Sequence, residues 1–202
     1  MATFIQKLMG SEPHSLEAIR DSLDKSFEND TDFIALLKEH HGYLEESISV
    51  LMDKDASDSY KQSHLIRFFR LVEMHGKAEQ ETLYISLKKN SEKEARLEGF
   101  GGQDEHDVVF QLEDELLAMG YLNDWTEEIA AKGKVAAGLM QNHIKEEESE
   151  MFPIAQNDID ESELEMLRDQ YITKCKTYLD ESAVSAGQRD LNARAESPTI
   201  RI

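Results

Sequence analysis

The sequence predicts an all-α protein: an antiparallel, up-down-up-down four-helix bundle with a short N-terminal helix and an extra C-terminal helix. Only three of the 202 residues are proline. No stretch sustains the two-residue alternation of a half-buried strand, and apolar residues recur at steps of three and four, the period of a helix with one buried face. With 40% hydrophobic residues the chain can fill a sizeable core, and at this length one domain is the simplest organisation.

The first helix is expected at about 15–27, inside an N-terminal extension spanning 1–30. Asn29, Asp30, Thr31 and Asp32 break it and cap the next helix, which carries His41. A third helix, roughly 59–89, carries His75. A glycine-rich stretch through Gly99, Gly101 and Gly102 leads into the helix of His106, which ends at Gly120. Asp124, followed three residues later by Glu127, reads as a capping box opening the helix of His143, and Pro153 marks that helix's end or a kink. Residues 31–155 then form the bundle. An amphipathic helix at about 160–183, within 156–184, packs on it, and 185–202 lacks apolar periodicity and reads as a flexible tail.

The net charge of −20, from 22 basic and 42 acidic residues, repels phosphate backbones and anionic lipid, so neither nucleic acid nor a membrane is an expected partner. The opening MATFIQKLMGSEPHS holds too short an apolar run for a secretory signal, which makes a cytoplasmic location the default. Cys175 is the only cysteine, so any metal chemistry falls to histidine and carboxylate.

His-x-x-x-Glu occurs twice, at His75 to Glu79 and His143 to Glu147, 68 residues apart, and His41 and His106 complete a weak internal repeat. Four-residue spacing puts an imidazole and a carboxylate on one helix face a turn apart, within reach of one ion or two adjacent ones. The midpoints between successive candidates fall at Asp58, at Asn90-Ser91 and at Asp124, all turn-forming, as an alternating bundle needs to bring four positions to one height.

Register chooses among neighbours. Leu37, His41, Leu44, Ile48 and Leu51 form a core-facing seam, which selects His41 over His40, rotated about 100° towards the side. Leu65, Phe68, Val72, His75, Glu79 and Thr82 form a second seam, and Ala136, Met140, His143, Glu147 and Met151 a third. The second and third each bury a carboxylate that costs several kcal/mol unless compensated, and a cation compensates it. A lone core histidine is ordinarily a hydrogen-bonded packing residue, but here that reading has to apply repeatedly. His106 is the weakest member, being placed near a helix start. His64 is about 16 Å along the axis from His75, too far to share a site. His14 precedes the bundle, Glu146 and Glu148 fall to solvent on other faces than Glu147, and Glu81 and Glu113 are candidate acceptors for the second nitrogen of a ligand histidine. Zinc-peptidase His-Glu-x-x-His is absent, and so is the Glu-x-x-His of ferritin-like proteins. Mixed imidazole and carboxylate donors suit iron, with manganese or zinc as competitors.

LLKEHHGYLEE around His41, HGKAEQETLY from His75, DEHDVV around His106 and HIKEEESEMFP from His143 resemble, in order, the four ligand-bearing helices of the hemerythrin-like, or HHE cation-binding, domain family. The resemblance implies two non-haem irons, oxo- or hydroxo-bridged. His41 and His75 serve one and His106 and His143 the other, Glu79 and Glu147 bridge, and an open position takes dioxygen, peroxide or nitric oxide. One departure is that the oxygen carriers have a second histidine four residues after the one on the third bundle helix, where this chain has Phe110. The expected function is a di-iron protein that binds dioxygen or senses oxygen or iron. A small redox enzyme acting on peroxide or nitric oxide, and a metal-free helical interaction protein, are the alternatives.

Overall fold

Asp32 starts the bundle by local chemistry: its carboxylate accepts the Ala35 amide at 2.8 Å, satisfying a first-turn N–H that has no helical partner. The computed structural model describes residues 16–196, with side chains placed for 18–180; His14 and the rest of 1–15 lie outside the described residues. Helix α1 spans Leu16–Glu28, α2 Phe33–Met52, α3 Asp58–Gln80, α4 Leu83–Lys89, α5 Lys93–Ala118 and α6 Glu127–Glu146. A π-helical turn, Glu147–Met151, joins α6 to α7, Phe152–Asp158, and α8 runs over Glu161–Glu196. No strand occurs among the described residues, and no helix there is long and apolar enough to cross a membrane.

Helices α2, α3, α5 and α6 surround one core, with α2 against α3 and α6, and α5 against α6 and α3. Leu37, Leu44, Leu65, Phe68, Val72 and Met140 are fully buried in it. Helix α8 lies across α3, α2 and α1, and seats Tyr171, Ile172 and Cys175 against them.

Four element boundaries differ from the sequence reading. The helix expected at 59–89 is broken at Glu81 and Thr82, where the Thr82 hydroxyl donates to the Ala78 carbonyl at 2.6 Å and its backbone leaves the helical region (φ −128°, ψ −89°). The glycine-rich stretch is inside α5, not before it, so His106 is a mid-helix residue. Thr126, not Asp124, caps α6, accepting the Ile129 amide at 3.2 Å. The regular α-helix of α6 stops at Glu146, ahead of Pro153, which occupies the first turn of α7, where its missing N–H costs least, directly after the π turn. Helix α8 continues to Glu196 rather than giving way near 184, because the residues there are mostly good helix formers and the next proline is Pro198. Gly120 does end α5, with φ +81°.

Gly99 and Gly102 of α5 serve close packing. A Cβ on Gly102 would stand 2.9 Å from Tyr84 Cζ and 2.8 Å from Met151 Cε, whereas one on Gly101 would meet nothing within 4 Å. Glycine to alanine in a helix ordinarily gains about 1 kcal/mol, and forcing extra volume into a packed site costs about 1–3 kcal/mol. Gly101→Ala is therefore expected to raise the urea midpoint and Gly102→Ala to lower it; a rise for both would refute the packing account.

Candidate metal centre

Four helices and the π turn deliver the six candidate residues: His41 from α2, His75 and Glu79 from α3, His106 from α5, His143 from α6, and Glu147 from the turn. All six are at most 2% exposed. Each carboxylate lies between imidazoles of different helices. Glu79 Oε2 is 3.1 Å from His75 Nε2 and 3.9 Å from His106 Nε2, and Glu147 Oε2 is 3.1 Å from His41 Nε2 and 3.4 Å from His143 Nε2.

Near as they are, His41 Nε2, His75 Nε2, His106 Nε2 and Glu147 Oε2 are not aligned as hydrogen bonds and have no partner. Buried polar atoms are rarely left so. Donor atoms that converge on shared space rather than on one another can serve a cation as ligands. They fall into two groups able to hold an ion, His41 with His75, Glu79 and Glu147, and Glu79 with His106 and His143.

The second ring nitrogens face outward to partners that fix the rings. His41 Nδ1 is 2.8 Å from Glu148 Oε1, His143 Nδ1 is 2.6 Å from Glu105 Oε2, and His75 Nδ1 is 2.7 Å from the Tyr171 hydroxyl. Such contacts select the tautomer that leaves Nε2 free for a metal. The His106 ring instead lies against α3 at Gly76, where a Cβ would be 3.1 Å from its Nδ1.

The π turn shapes one wall. It puts the consecutive residues Glu147 and Glu148 on the two nitrogens of the single His41 ring, and it is followed by Phe152, which stacks on His41 at 5.4 Å. π turns of this kind gather at functional sites. Opposite, the break at Thr82 turns Tyr84 inward, and its hydroxyl donates to Glu147 Oε1 at 2.5 Å and lies 3.4 Å from His143 Nε2. Phe110 packs on the His106 ring at 6.1 Å, and its Cζ lies 3.3 Å from where a Cβ on Gly76 would be.

Charge in the ion-free protein is met by protons. Burial, then the adjacent Glu147, drives the Glu79 carboxyl well above the usual range, so it keeps its proton. Burial also acts to raise Glu147, but the charge of His143 outweighs it and holds that carboxyl well below the usual range. Burial acts to lower His143, yet Glu147 and Glu105 carry it up to about 10, so it is an imidazolium paired with Glu147. Burial, reinforced by neighbouring histidines, keeps His75 and His106 neutral.

Each residue singled out in the sequence thus has a definite place. His41 faces the cluster, but His40 is equally buried rather than turned aside, because α8 covers it and brings the Tyr171 hydroxyl to 2.6 Å from its Nδ1. Glu148 holds His41 instead of pointing only to solvent. Glu146 does stay at the surface, beside Glu105. Glu81 and Glu113 are not acceptors for these histidines: Glu81 pairs outside with Lys174 and Tyr178, and Glu113 bonds the Tyr121 hydroxyl at 3.4 Å, two turns past His106. His64 packs on Tyr60 away from the cluster. Sequence reasoning missed Tyr84, Glu105, Glu148 and Tyr171. Only Glu105, next to His106, and Glu148, next to Glu147, carried any local signal.

A buried cluster of histidines and glutamates at the centre of a helical bundle defines a cation-binding protein, and the comparisons with known proteins agree. The model of the hemerythrin HHE cation binding domain matches residues 32–155. The chain belongs to that family. Comparison with curated proteins finds no match, nor does comparison with solved structures.

Because His143 and Glu79 carry protons that a cation must displace, binding is coupled to pH. Each proton released changes the apparent affinity about tenfold per pH unit. Zinc titrations across the neutral range are expected to show affinity rising with pH, with proton release seen as a buffer-dependent heat. An affinity indifferent to pH would contradict the charge assignment.

Proposed function

We propose that this protein holds two iron ions between its bundle helices and binds dioxygen there, as a carrier or as a sensor of oxygen or iron, in the cytoplasm. His41 and His75 serve one ion and His106 and His143 the other. Glu79 and Glu147 bridge them, since each lies against one imidazole of either pair. The four ligand-bearing helices alternate in direction, in keeping with the short connection between α2 and α3 and that between α5 and α6. The observation that carries the reading is the set of buried nitrogens and oxygens without hydrogen-bond partners, directed into the space between the helices, in a chain of the HHE family. Mixed nitrogen and carboxylate donors suit iron, with manganese and zinc as rivals.

Iron, when bound, supplies the reversible ligation of a diatomic molecule. The protein's own residues govern access and charge. Phe110 and Phe152 wall the cluster with apolar rings, and the Tyr84 hydroxyl, which donates its one hydrogen to Glu147 Oε1, lies beside His143.

One observation favours a second reading, turnover of peroxide or nitric oxide at the same centre. With Phe110 where the oxygen carriers have histidine, the His106 and His143 group has one nitrogen fewer, and a hydroxyl, that of Tyr84, lies within 3.5 Å of Glu79 Oε2. A centre with fewer nitrogens and a nearby hydroxyl suits proton-consuming chemistry better than reversible oxygenation.

The deciding measurement is anaerobic reconstitution with ferrous iron, then metal analysis and an optical spectrum in air, with and without azide. About two irons per chain and oxo-bridged charge-transfer bands that shift with azide are expected, and the paired replacements His75→Ala and His143→Ala are expected to abolish both. A colourless protein without iron would sink the proposal. A stable, reversible oxygen spectrum favours carriage, and sustained peroxide or nitric oxide consumption well above that of free iron favours the enzyme.

A further inference from the structure

Helix α8 lies beyond the matched residues 32–155, yet it reaches the centre. Tyr171 on it is fully buried, and its hydroxyl is 2.7 Å from His75 Nδ1 and 2.6 Å from His40 Nδ1. The corresponding partners of His41 and His143 are the carboxylates of Glu148 and Glu105, both from within the matched span. A phenol has one hydrogen to give and lone pairs to receive. With His75 Nε2 turned to the cluster, its Nδ1 carries the hydrogen and donates to the Tyr171 oxygen. The Tyr171 hydrogen then has His40 Nδ1 at 2.6 Å, beside the Cys175 thiol that also bonds the hydroxyl; given to His40, it places the His40 hydrogen on Nε2, a buried atom without a hydrogen-bond partner. Cys175, one turn further along α8, is also buried and donates to the Met74 carbonyl, anchoring α8 to α3 beside His75.

We propose that Tyr171 is a positioning residue of the metal centre: the appended C-terminal helix completes it by fixing the His75 tautomer through a His75–Tyr171–His40 hydrogen-bond chain. This rests on the metal-binding reading of the cluster. His40 enters as the acceptor that orients the phenol, which gives a reason for two adjacent buried histidines where one faces the ions. A neutral phenol adds no negative charge at His75, whereas Glu148 and Glu105 do so at His41 and His143. The two members of the His41–His75 pair are therefore held by different chemistry.

Cobalt(II) serves as a redox-silent probe, in competition with a chelator, on the full chain and on Tyr171→Phe, which keeps the ring and removes only the hydroxyl. The wild type is expected to take two ions. Tyr171→Phe is expected to lose roughly 10–100-fold in affinity for one of them, with an altered visible cobalt spectrum. Thr177→Ala, on the exposed face of the same helix, is expected to behave as the wild type. On the zinc-loaded wild type, long-range nitrogen–proton spectra of the imidazoles are expected to show the hydrogen of His75 on Nδ1 and that of His40 on Nε2. That measurement decides the matter even if Tyr171→Phe fails to fold. Two tightly bound cobalt ions with an unchanged spectrum in Tyr171→Phe would overturn this proposal alone, as would a His40 hydrogen on Nδ1. A wild type that takes no cobalt would overturn the metal-binding reading and this proposal with it.

Discussion

Two carboxylates enclosed in a helical bundle set the terms for everything around them. Leaving a buried charge without a partner costs about 3–5 kcal/mol, against a stability of roughly 5–15 kcal/mol for a whole domain. Glu79 and Glu147 are at most 1% exposed, and the chain tolerates them because imidazoles from four helices surround them. Without a cation, one carboxylate keeps its proton and the other is ionised against the His143 imidazolium. A cation replaces those protons, so folding, protonation and metal binding draw on the same few groups.

That requirement explains features otherwise unrelated. Rings and carboxylates meet at 3–4 Å only if the helices approach closely, and Gly76 and Gly102 leave room for the His106 and Tyr84 rings. A regular α-helix would present Glu147 and Glu148 about 100° apart; the π turn at Glu147–Met151 brings both to one imidazole. The break at Thr82 admits the Tyr84 hydroxyl, and α8 supplies that of Tyr171. Each departure from regular helix lies within a few residues of the cluster, as expected where function and regular geometry compete.

The main architecture was legible because it follows from periodicity. The seam of Leu37, His41, Leu44 and Ile48 reads the same in sequence and in the core, and so does that of Met140, His143, Glu147 and Met151. The family resemblance rested on those same residues. The glycines of α5 misled, since glycine ordinarily marks a turn, and only the facing side chains of α4 reveal that Gly99 and Gly102 are spacers. Pro153 marked the place where the regular helix is interrupted, but nothing in EESEM announces that the interruption is a π turn. Glu81 and Glu113 have the right chemistry to support a histidine but the wrong position, one outside the helix break and the other two turns away.

By itself the sequence determined which residues share a helix face, and hence that His41, His75, Glu79, His106, His143 and Glu147 can converge. Spacing along one helix is a local property that 3.6 residues per turn converts directly into direction. Only the tertiary structure decided what holds those side chains in place. Tyr171 lies 96 residues from His75, Glu105 is 38 from His143, and Glu148 is 107 from His41. Contacts at such separations depend on how whole helices pack, and no periodicity within a single segment encodes them.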